Sequence, residues 1–341
     1  MACTLKDVAS AAGVSPATVS LVLNNRSGIS QETRETVIAA AMRLNYPLRA
    51  SSTVKENATR PVCFIKIASH GLVINDDHKA FISDYIDGIE NSARRYGYPL
   101  EVRSYVGFDV DQILSDIYKQ NYSGIIILAT ELLEQDILKF KELSIPKVFI
   151  DVNYPLFSFD FVNMDNESAV YTVVKRFKDR GITKIGLVKS KIYTRNFFLR
   201  SKYFYEVLKY FDMEINKDWE FTVGPSFDTA YDDMLENLEG KKDLPEGLFC
   251  VCDVIGIGVM KALREKGIKV PDDISIIGFD DSPKCRMTDP ELSSVRVPTA
   301  LIGKRAFEYL RNLMKREQRI ASEKILIGCD VILRDSVRKV L

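Results

Sequence analysis

Histidine is almost missing from this sequence: His70 and His78 are the only two in 341 residues. The six cysteines, Cys3, Cys63, Cys250, Cys252, Cys285 and Cys329, are scattered, with no C-x-x-C pair and no partnering histidine. That argues against a structural zinc site. Cys250 and Cys252 stand two apart in an apolar run, Leu248-Phe249-Cys250-Val251-Cys252, where a strand would point both to one face. Reduced thiols packed as small hydrophobes are the simplest account of them. No apolar run reaches the roughly 18 residues of a membrane span, and no basic start leads into an apolar core at the N-terminus. Membrane insertion and secretion are thereby excluded, and a cytoplasmic chain is expected. Charge of one sign is also lacking: 47 Lys and Arg balance 47 Asp and Glu, so a chain-wide charge argument for nucleic acid fails. Neither G-x-x-x-x-G-K-[ST] nor G-x-S-x-G occurs, and Gly256-Ile257-Gly258 lacks the third glycine of a dinucleotide fingerprint. It falls inside an apparent helix, where close helix packing explains it. The pairs Asp272-Asp273 and Asp280-Asp281 offer the two carboxylates of a glycosidase, yet capping at strand boundaries accounts for them. No enzyme, no metal and no cofactor are expected.

A hydrophobic fraction of 46% and a charged fraction of 28% are those of a folded globular chain, long enough for two or three domains. The balanced charge hides an asymmetry. Residues 1–60 hold seven Lys and Arg against four Asp and Glu, which leaves the rest slightly acidic. A basic head on an acidic body suggests that the head meets an anion.

That head reads as three short helices. Thr4 caps a first helix with Leu5, Val8, Ala9 and Ala12 on one face, and Gly13 ends it. Ser15 caps a second, with Pro16 at its first position and Val19, Val22 and Leu23 inward. A third begins near Ser30 and turns Val37, Ala40, Ala41 and Leu44 inward. Helix, tight glycine turn, helix is the arrangement whose second helix meets the major groove.

The run Thr4-Leu5-Lys6-Asp7-Val8-Ala9, then Ala12-Gly13-Val14-Ser15-x-x-Thr18-Val19-Ser20-x-Val22-Leu23-Asn24, resembles the DNA-binding head of the lactose-repressor/galactose-repressor family. Thr33-Arg34, Val37, Ala41 and Leu44-Asn45-Tyr46 continue the likeness. By family position Pro16, Ala17 and Leu21 face base edges, where apolar contact with thymine methyls is what they offer. Leu21 replaces the Arg of many relatives. Thr4, Ser15, Thr18, Ser20, Asn24 and Arg34 are candidates for positioning on phosphates. In the hinge, Tyr46-Pro47-Leu48-Arg49-Ala50-Ser51-Ser52-Thr53-Val54 is one residue shorter than in relatives, and Val54 stands where their minor-groove Leu wedge would be. The expected divisions are a head over 1–48, a linker over 49–60 and a body over 61–341.

From residue 61 short apolar runs alternate with helical segments. Strands are expected at 62–67, 100–102, 124–128, 147–150, 184–188, 220–223, 247–252 and 274–278, with helices at 79–97, 109–121, 132–143, 165–180, 195–211, 227–239 and 254–266. Such alternation predicts parallel sheets covered on both faces, in two lobes with a ligand cleft at the strands' carboxyl ends. Val270-Pro271-Asp272-Asp273-Ile274-Ser275-Ile276-Ile277-Gly278-Phe279-Asp280-Asp281, Pro290-x-Leu292-Ser293-Ser294-Val295 and Ile332-Leu333-Arg334-Asp335-Ser336 extend the family resemblance into this body. The implied fold is an N-terminal all-α helix-turn-helix domain plus an α/β two-lobed periplasmic-binding-protein-like domain. Lobe one is expected at about 61–160 and 291–322, lobe two at about 161–290 and 323–341. Few residues follow the last strand motif, so the resemblance implies a homodimer without a tetramerising tail.

By family position Asp151, Arg200, Phe227, Asp253 and Asp280 line the cleft: a fork of donors, three carboxylates and an apolar ring face. Each also has a plainer reading: Asp151 and Asp280 as helix caps at strand ends, Arg200 as an exposed helix residue, and Asp253, for which this is the favoured reading, as the N-cap of the following helix. Where relatives carry Asn-Pro-Phe-Phe, this chain has Ser69-His70-Gly71-Leu72-Val73-Ile74-Asn75-Asp76-Asp77-His78-Lys79-Ala80-Phe81. Ser69 and Phe81 are taken as first-lobe contacts, and Asp76-Asp77-His78 as a solvated loop. The resemblance implies a transcription regulator, a repressor by family default, with a pseudo-palindromic double-stranded DNA operator and a small sugar-like effector as partners. Control by a partner protein with a little-used cleft is the alternative; a solute-binding protein is the alternative of another class.

Overall fold

The computed structural model describes residues 4–23, 29–44, 59–107, 109–316 and 321–339. They fall into two units, Met1–Thr59 and Arg60–Leu341. In the first, α1 (Leu5–Ala12), α2 (Pro16–Leu23) and α3 (Gln31–Arg43) form a three-helix head. Each start is capped by a hydroxyl residue. Thr4 N–H and Oγ1 both donate to Asp7 Oδ2 at 2.7 Å, Ser15 Oγ accepts from Thr18 N–H at 3.0 Å, and Ser30 Oγ from Thr33 N–H at 3.3 Å. Gly13 takes φ +65°, the left-handed turn that sends the chain from α1 into α2. Val8, Ala9, Val19, Val22, Val37, Ala40 and Ala41 are buried together as the core. Their small size draws three short helices into contact.

In the second unit the chain runs β1 (Val62–Ala68), α4 (Lys79–Arg95), β2 (Leu100–Val106), α5 (Val110–Tyr118), β3 (Gly124–Leu128), α6 (Glu134–Lys139), β4 (Lys147–Ile150) and β5 (Phe161–Met164). It continues through α7 (Asn166–Lys178), β6 (Ile185–Ser190), α8 (Arg195–Tyr210), β7 (Glu220–Val223), α9 (Phe227–Asn237), β8 (Gly247–Cys250), α10 (Asp253–Glu265) and β9 (Ser275–Asp280). Last come β10 (Ser293–Arg296), α11 (Thr299–Lys315), β11 (Lys324–Ile327) and β12 (Asp330–Ile332). Two six-stranded sheets result, ordered β11-β5-β4-β3-β1-β2 and β12-β10-β9-β8-β6-β7. Only β12 runs antiparallel to its neighbour. The inner strands are buried on both faces, as parallel strands under helices must be.

The expected lobe boundaries move. β5 pairs with β4 and β11, so 161–164 belongs to lobe one; β10 pairs with β9, so 293–296 belongs to lobe two. β11 returns to the first sheet. The crossings therefore lie between Met164 and Asn166, Arg296 and Thr299, and Ile327 and Asp330. Four-residue apolar strands read alike in either sheet, and pairing partners decide. β2 also outruns its expected end at 102, because an edge strand alternates exposed and buried residues where an inner one is uniformly apolar. The expected strand 247–252 stops at Cys250. Cys252 is the N-cap of α10, so the two buried thiols do not share a strand face.

The closest helix pair in lobe one is α4 with α11. A Cβ on Gly88 would overlap the carbonyl oxygen of Ala300, and one on Gly303 that of Tyr85. In lobe two a Cβ on Gly258 would sit 2.7 Å from the Phe227 carbonyl oxygen, so close α9–α10 contact explains this half of the G-x-G. Gly88→Ala is expected to force α4 and α11 apart and to cost about 1–3 kcal/mol in urea unfolding. A variant of unchanged midpoint would show that the contact is slack.

Candidate functional site

In the head, burial of Val19 and Val22 fixes the roll of α2 and turns its opposite face outward. Ser15, Pro16 and Ala17 are exposed at its start, and Leu21, one turn on, is 40% exposed. Thr18 and Ser20 are half-buried, and Thr18 Oγ1 lies 2.9 Å from Ser15 Oγ. Arg34 reaches from α3 to the Val22 carbonyl at 3.5 Å, tying α3 to the end of α2. Thr4 caps α1 through Asp7 and stands exposed at the start of the helix. Asn24 and Val54 lie outside the described residues. The outward tip of α2 therefore offers apolar surface from Pro16, Ala17 and Leu21, flanked by hydroxyls and one guanidinium.

In the body, the carboxyl ends of both sheets face one another. Asp151 follows β4 with φ +61°, Asp280 ends β9 with φ +112°, and α8 presents Asn196 and Arg200 between them. They wall an inner cavity of about 30 Å³. Its lobe-one side is Val73, Ile74, His78, Phe81, Ile82, Leu128, Thr130 and Asp151; its lobe-two side is Thr194, Asn196, Phe197, Arg200 and Asp280. An outer cavity of about 760 Å³ shares His78, Phe81 and Asp280 with it and extends along Asp76–Asp84, Asp281–Lys284 and Arg296–Leu301.

Asp151 is held from both lobes. It accepts from Tyr85 Oη at 3.2 Å, from Thr130 Oγ1 and from Asn196 Nδ2 at 3.1 Å, and its main-chain oxygen accepts from Asn196 Nδ2 at 2.9 Å. Burial raises its carboxyl above the usual range against the pull of Thr130 and Arg200. Arg200 is buried, over the Phe279 ring at 3.5 Å. Its Nε donates to Asn166 Oδ1 at 3.0 Å and its Nη1 to the Val251 carbonyl at 2.6 Å, while Nη2 stands 3.6 Å from Asp280 Oδ1. The fork expected to serve a ligand is thus largely spent on the protein. Burial also drives Asp280 well up, with Asp253 and Asp151 adding repulsion. His78 is pushed down to about 4 by burial.

Several sequence expectations are corrected. Asp253 is neither N-cap nor free carboxylate. Its Oδ1 accepts from Ser294 Oγ at 2.5 Å and its Oδ2 from Ser282 N–H at 2.7 Å, which ties the start of α10 to β10. Phe227 is in neither cavity wall; it begins α9 and borders another groove with Ile257, Met260 and Lys261. Its place was set by motif position, and the α9–α10 contact turns it elsewhere. Ser69 does not reach the cavity walls, because the chain folds back immediately after it. The triplet Asp76-Asp77-His78 is a single turn, capped by Asn75 Oδ1 through Asp77 N–H at 2.9 Å; Asp76 is exposed as expected, while Asp77 and His78 are half-buried beside the outer cavity.

Glu131 is what the sequence reading missed. Its side chain is buried, and its two oxygens accept four backbone N–H groups: His70 and Gly71 at 3.0 Å, Val73 at 2.9 Å and Ile74 at 2.7 Å. The carboxylate thereby curls 70–74 into the wall and places Val73 and Ile74 in the cavity. A single acid inside Leu128-Ala129-Thr130-Glu131-Leu132-Leu133 was the available signal. Burial acts to raise this carboxyl, but the four N–H donors outweigh it and hold it below the usual range. The lowered pKa means stability that is present above the unfolded value and lost as pH falls through the folded one. Raised Asp151 and Asp280 carry the opposite sign, costing stability as pH rises toward neutrality. Glu131→Ala orphans four donors and is expected to cost about 3 kcal/mol or more. Glu131→Gln should flatten the loss of stability below about pH 4.5, where the unfolded carboxyl takes its proton. An unchanged acid limb in the Gln variant would refute the clamp.

A three-helix reading head joined in one chain to a two-lobed cavity defines a DNA-binding protein with a ligand-sensing body. Residues 4–47 match the family described as bacterial regulatory proteins, lacI family, and residues 174–337 match the periplasmic binding protein-like domain, together more than half of the chain. The HTH-type transcriptional repressor PurR of Vibrio vulnificus (strain CMCP6) is 28% identical over 343 residues, 99% of each chain. That of Haemophilus influenzae (strain Rd) is 28% identical over 345 residues, again 99% of each. Among solved structures, the lac repressor dimer bound to operator and the anti-inducer ONPF aligns with TM-score 0.76 at 24% identity, over 98% of this chain and 99% of that one. The CelR–cellobiose complex aligns with TM-score 0.71 at 21% identity, with the same shares. Residues 4–47 are a lacI-family DNA-binding head, and joined to a periplasmic-binding-protein-like body they make the chain a DNA-binding transcription regulator.

Proposed function

We propose that this regulator is a homodimeric repressor of a pseudo-palindromic operator, and that a small polar ligand between the lobes sets its affinity for DNA. The observation that carries the ligand half is that lobe closure and the cavity share groups. Asn196 of lobe two bonds Asp151 of lobe one in the inner cavity wall, and Lys284 of lobe two bonds Asp77 of lobe one at 2.5 Å beside the outer cavity. An occupant that touches these residues binds one lobe arrangement better than another, which is the requirement for allosteric control. The inner cavity holds about one water-sized group, so a larger ligand enters as the lobes part or extends into the outer cavity. Asp151, Asp280 and Phe81 are its proposed contacts, with Arg200 acting mainly to hold Asn166 and the strand end after Cys250. A sugar-sized occupant is supported by the likeness to a regulator solved with cellobiose. The dimer is supported by the likeness to the lac repressor dimer solved on its operator. A cytoplasmic location accords with this reading, and no helix among the described residues is long and apolar enough to cross a membrane.

For DNA, we assign Pro16, Ala17 and Leu21 to base edges and Thr4, Ser15, Thr18, Ser20, Asn24 and Arg34 to the backbone, with Val54 as the hinge wedge. Selection of binding sites from random duplexes is expected to return a two-fold symmetric sequence. Leu21→Ala should change preference at one symmetric pair of positions. Arg34→Ala should weaken all sequences alike and reduce the salt slope by about 1. Selected sites without two-fold symmetry would sink the dimeric reading, and an unchanged preference in the Leu21 variant would remove that residue from the bases.

A further inference from the structure

We propose that the interlobe site takes a small organic cation, its primary ammonium seated between Asp280 and Asp151 and its body in the outer cavity. This rests on the reading of the cleft as the effector site, and deepens it.

Charge pairing around the two cavities carries the inference. Three cations line the outer cavity, and each has a carboxylate partner: Lys79 with Asp76 at 2.9 Å, Lys284 with Asp77 at 2.5 Å, and Arg296 with Asp281 at 2.7 Å, an acid whose other oxygen meets Arg334. The carboxylates left over are Asp84, Asp151, Asp253 and Asp280, and the one cation remaining to them in the walls is Arg200. Hydroxyl and amide donors serve three of the four: Thr299 Oγ1 at 3.4 Å for Asp84, Thr130, Tyr85 and Asn196 for Asp151, and Ser294 and Ser282 for Asp253. Asp280 differs. Its side chain is 11% exposed, it borders both cavities, and among the described residues no hydrogen bond reaches its carboxylate, only the 3.6 Å approach of an Arg200 that bonds elsewhere. His78, neutral at pH 7, adds no positive charge.

An anionic effector would therefore enter walls in which seven carboxylates (Asp76, Asp77, Asp84, Asp151, Asp253, Asp280 and Asp281) outnumber four cations (Lys79, Arg200, Lys284 and Arg296). A neutral polyol would bring hydroxyl donors but no charge to favour the ionised form of Asp280, which burial and the neighbouring acids oppose. An ammonium supplies both the charge and the donors that Asp280 lacks. The inner cavity, about 30 Å³, has room for one group of that size. Phe81 and Phe197 line it with aromatic surface, which a cation tolerates. Two bodies share this chemistry, an amino sugar and an alkyl diamine.

The test uses the full chain in thermal-shift and calorimetric titrations with matched pairs: glucosamine against glucose, and putrescine against 1,4-butanediol. Glucose 6-phosphate serves as the anion. The expected result is binding of at least one amine, at least about 30-fold tighter than its neutral partner. That preference should collapse in Asp280→Asn and again in Asp151→Asn. Which pair responds distinguishes sugar from diamine. Silence of both amines, equal binding of the neutral partners, binding of the phosphate, or an undiminished preference in both variants would each overturn the assignment. Operator binding measured alongside separates the two levels: a bound amine that leaves operator affinity unchanged refutes the effector reading, whereas a neutral ligand that shifts it refutes only the cation.

Discussion

One buried amide joins the two lobes, and the geometry of the cleft depends on it. Asn196 Nδ2 donates to the main-chain and side-chain oxygens of Asp151, while its Oδ1 accepts from Asn163 Nδ2 at 2.8 Å and Asn166 Nδ2 at 2.9 Å. Asp151 and Asn163 end strands of lobe one, and Asn166 and Asn196 begin helices of lobe two. A single side chain thus uses donors and acceptor at the point where the chain first crosses. Asn166 Oδ1 then takes the Arg200 Nε, so the guanidinium that holds the strand end of lobe two is oriented from the same crossing. In a low-dielectric interior such a chain of bonds is worth most when every member is satisfied, and losing one exposes the rest.

Around that amide the cleft is built from acids held in two different ways. Glu131 is surrounded by backbone N–H groups and stays ionised; Asp280 sits beside other carboxylates with little to compensate it. The first arrangement stabilises a wall. The second disfavours its own ionisation in the place where a ligand would arrive. A site that is costly when empty binds a complementary group well, because the occupant removes a penalty that the protein already bears. Much of the polar apparatus in the cleft acts on the protein itself: Arg200, Asp253 and Glu131 all fix strand ends or loops, whereas no hydrogen bond from the described residues reaches the Asp280 carboxylate.

The sequence makes the fold legible because the signals are local. Ser15-Pro16 and Gly13 mark helix boundaries through capping and φ, and runs such as Gly124-Ile125-Ile126-Ile127-Leu128 admit little but a buried strand. The crossings were harder, since β5, β10 and β11 are four residues each and their sheet is set by partners far along the chain. The cleft was half legible. Asp151, Arg200 and Asp280 could be located from motif position, and they do converge. Phe227 and Ser69 could not be, because side-chain direction there follows from helix contact and from a loop shaped by Glu131, sixty residues downstream. Asn196 carried no sequence signal at all: a polar residue early in an amphipathic helix reads as exposed.

The loop over 70–78 then acquires its meaning. Four of its backbone N–H groups, at residues 70, 71, 73 and 74, are pinned to the Glu131 carboxylate, and Asn75 caps the turn that follows through Asp77 N–H. Such a clamp bonds main-chain N–H groups only, so it fixes the backbone that carries Val73 and Ile74 into the cavity wall without itself engaging their side chains. Asp77 at the far end meets Lys284 of the other lobe, and the same loop therefore forms a cavity wall and touches the opposite lobe. Both partners of that pair are partly exposed, so it adds little stability by itself. Its consequence is geometric: parting the lobes breaks it, and an occupant that displaces the loop breaks it too. The lobes are linked by three short crossings, so small changes at these contacts are sufficient to shift which arrangement is populated.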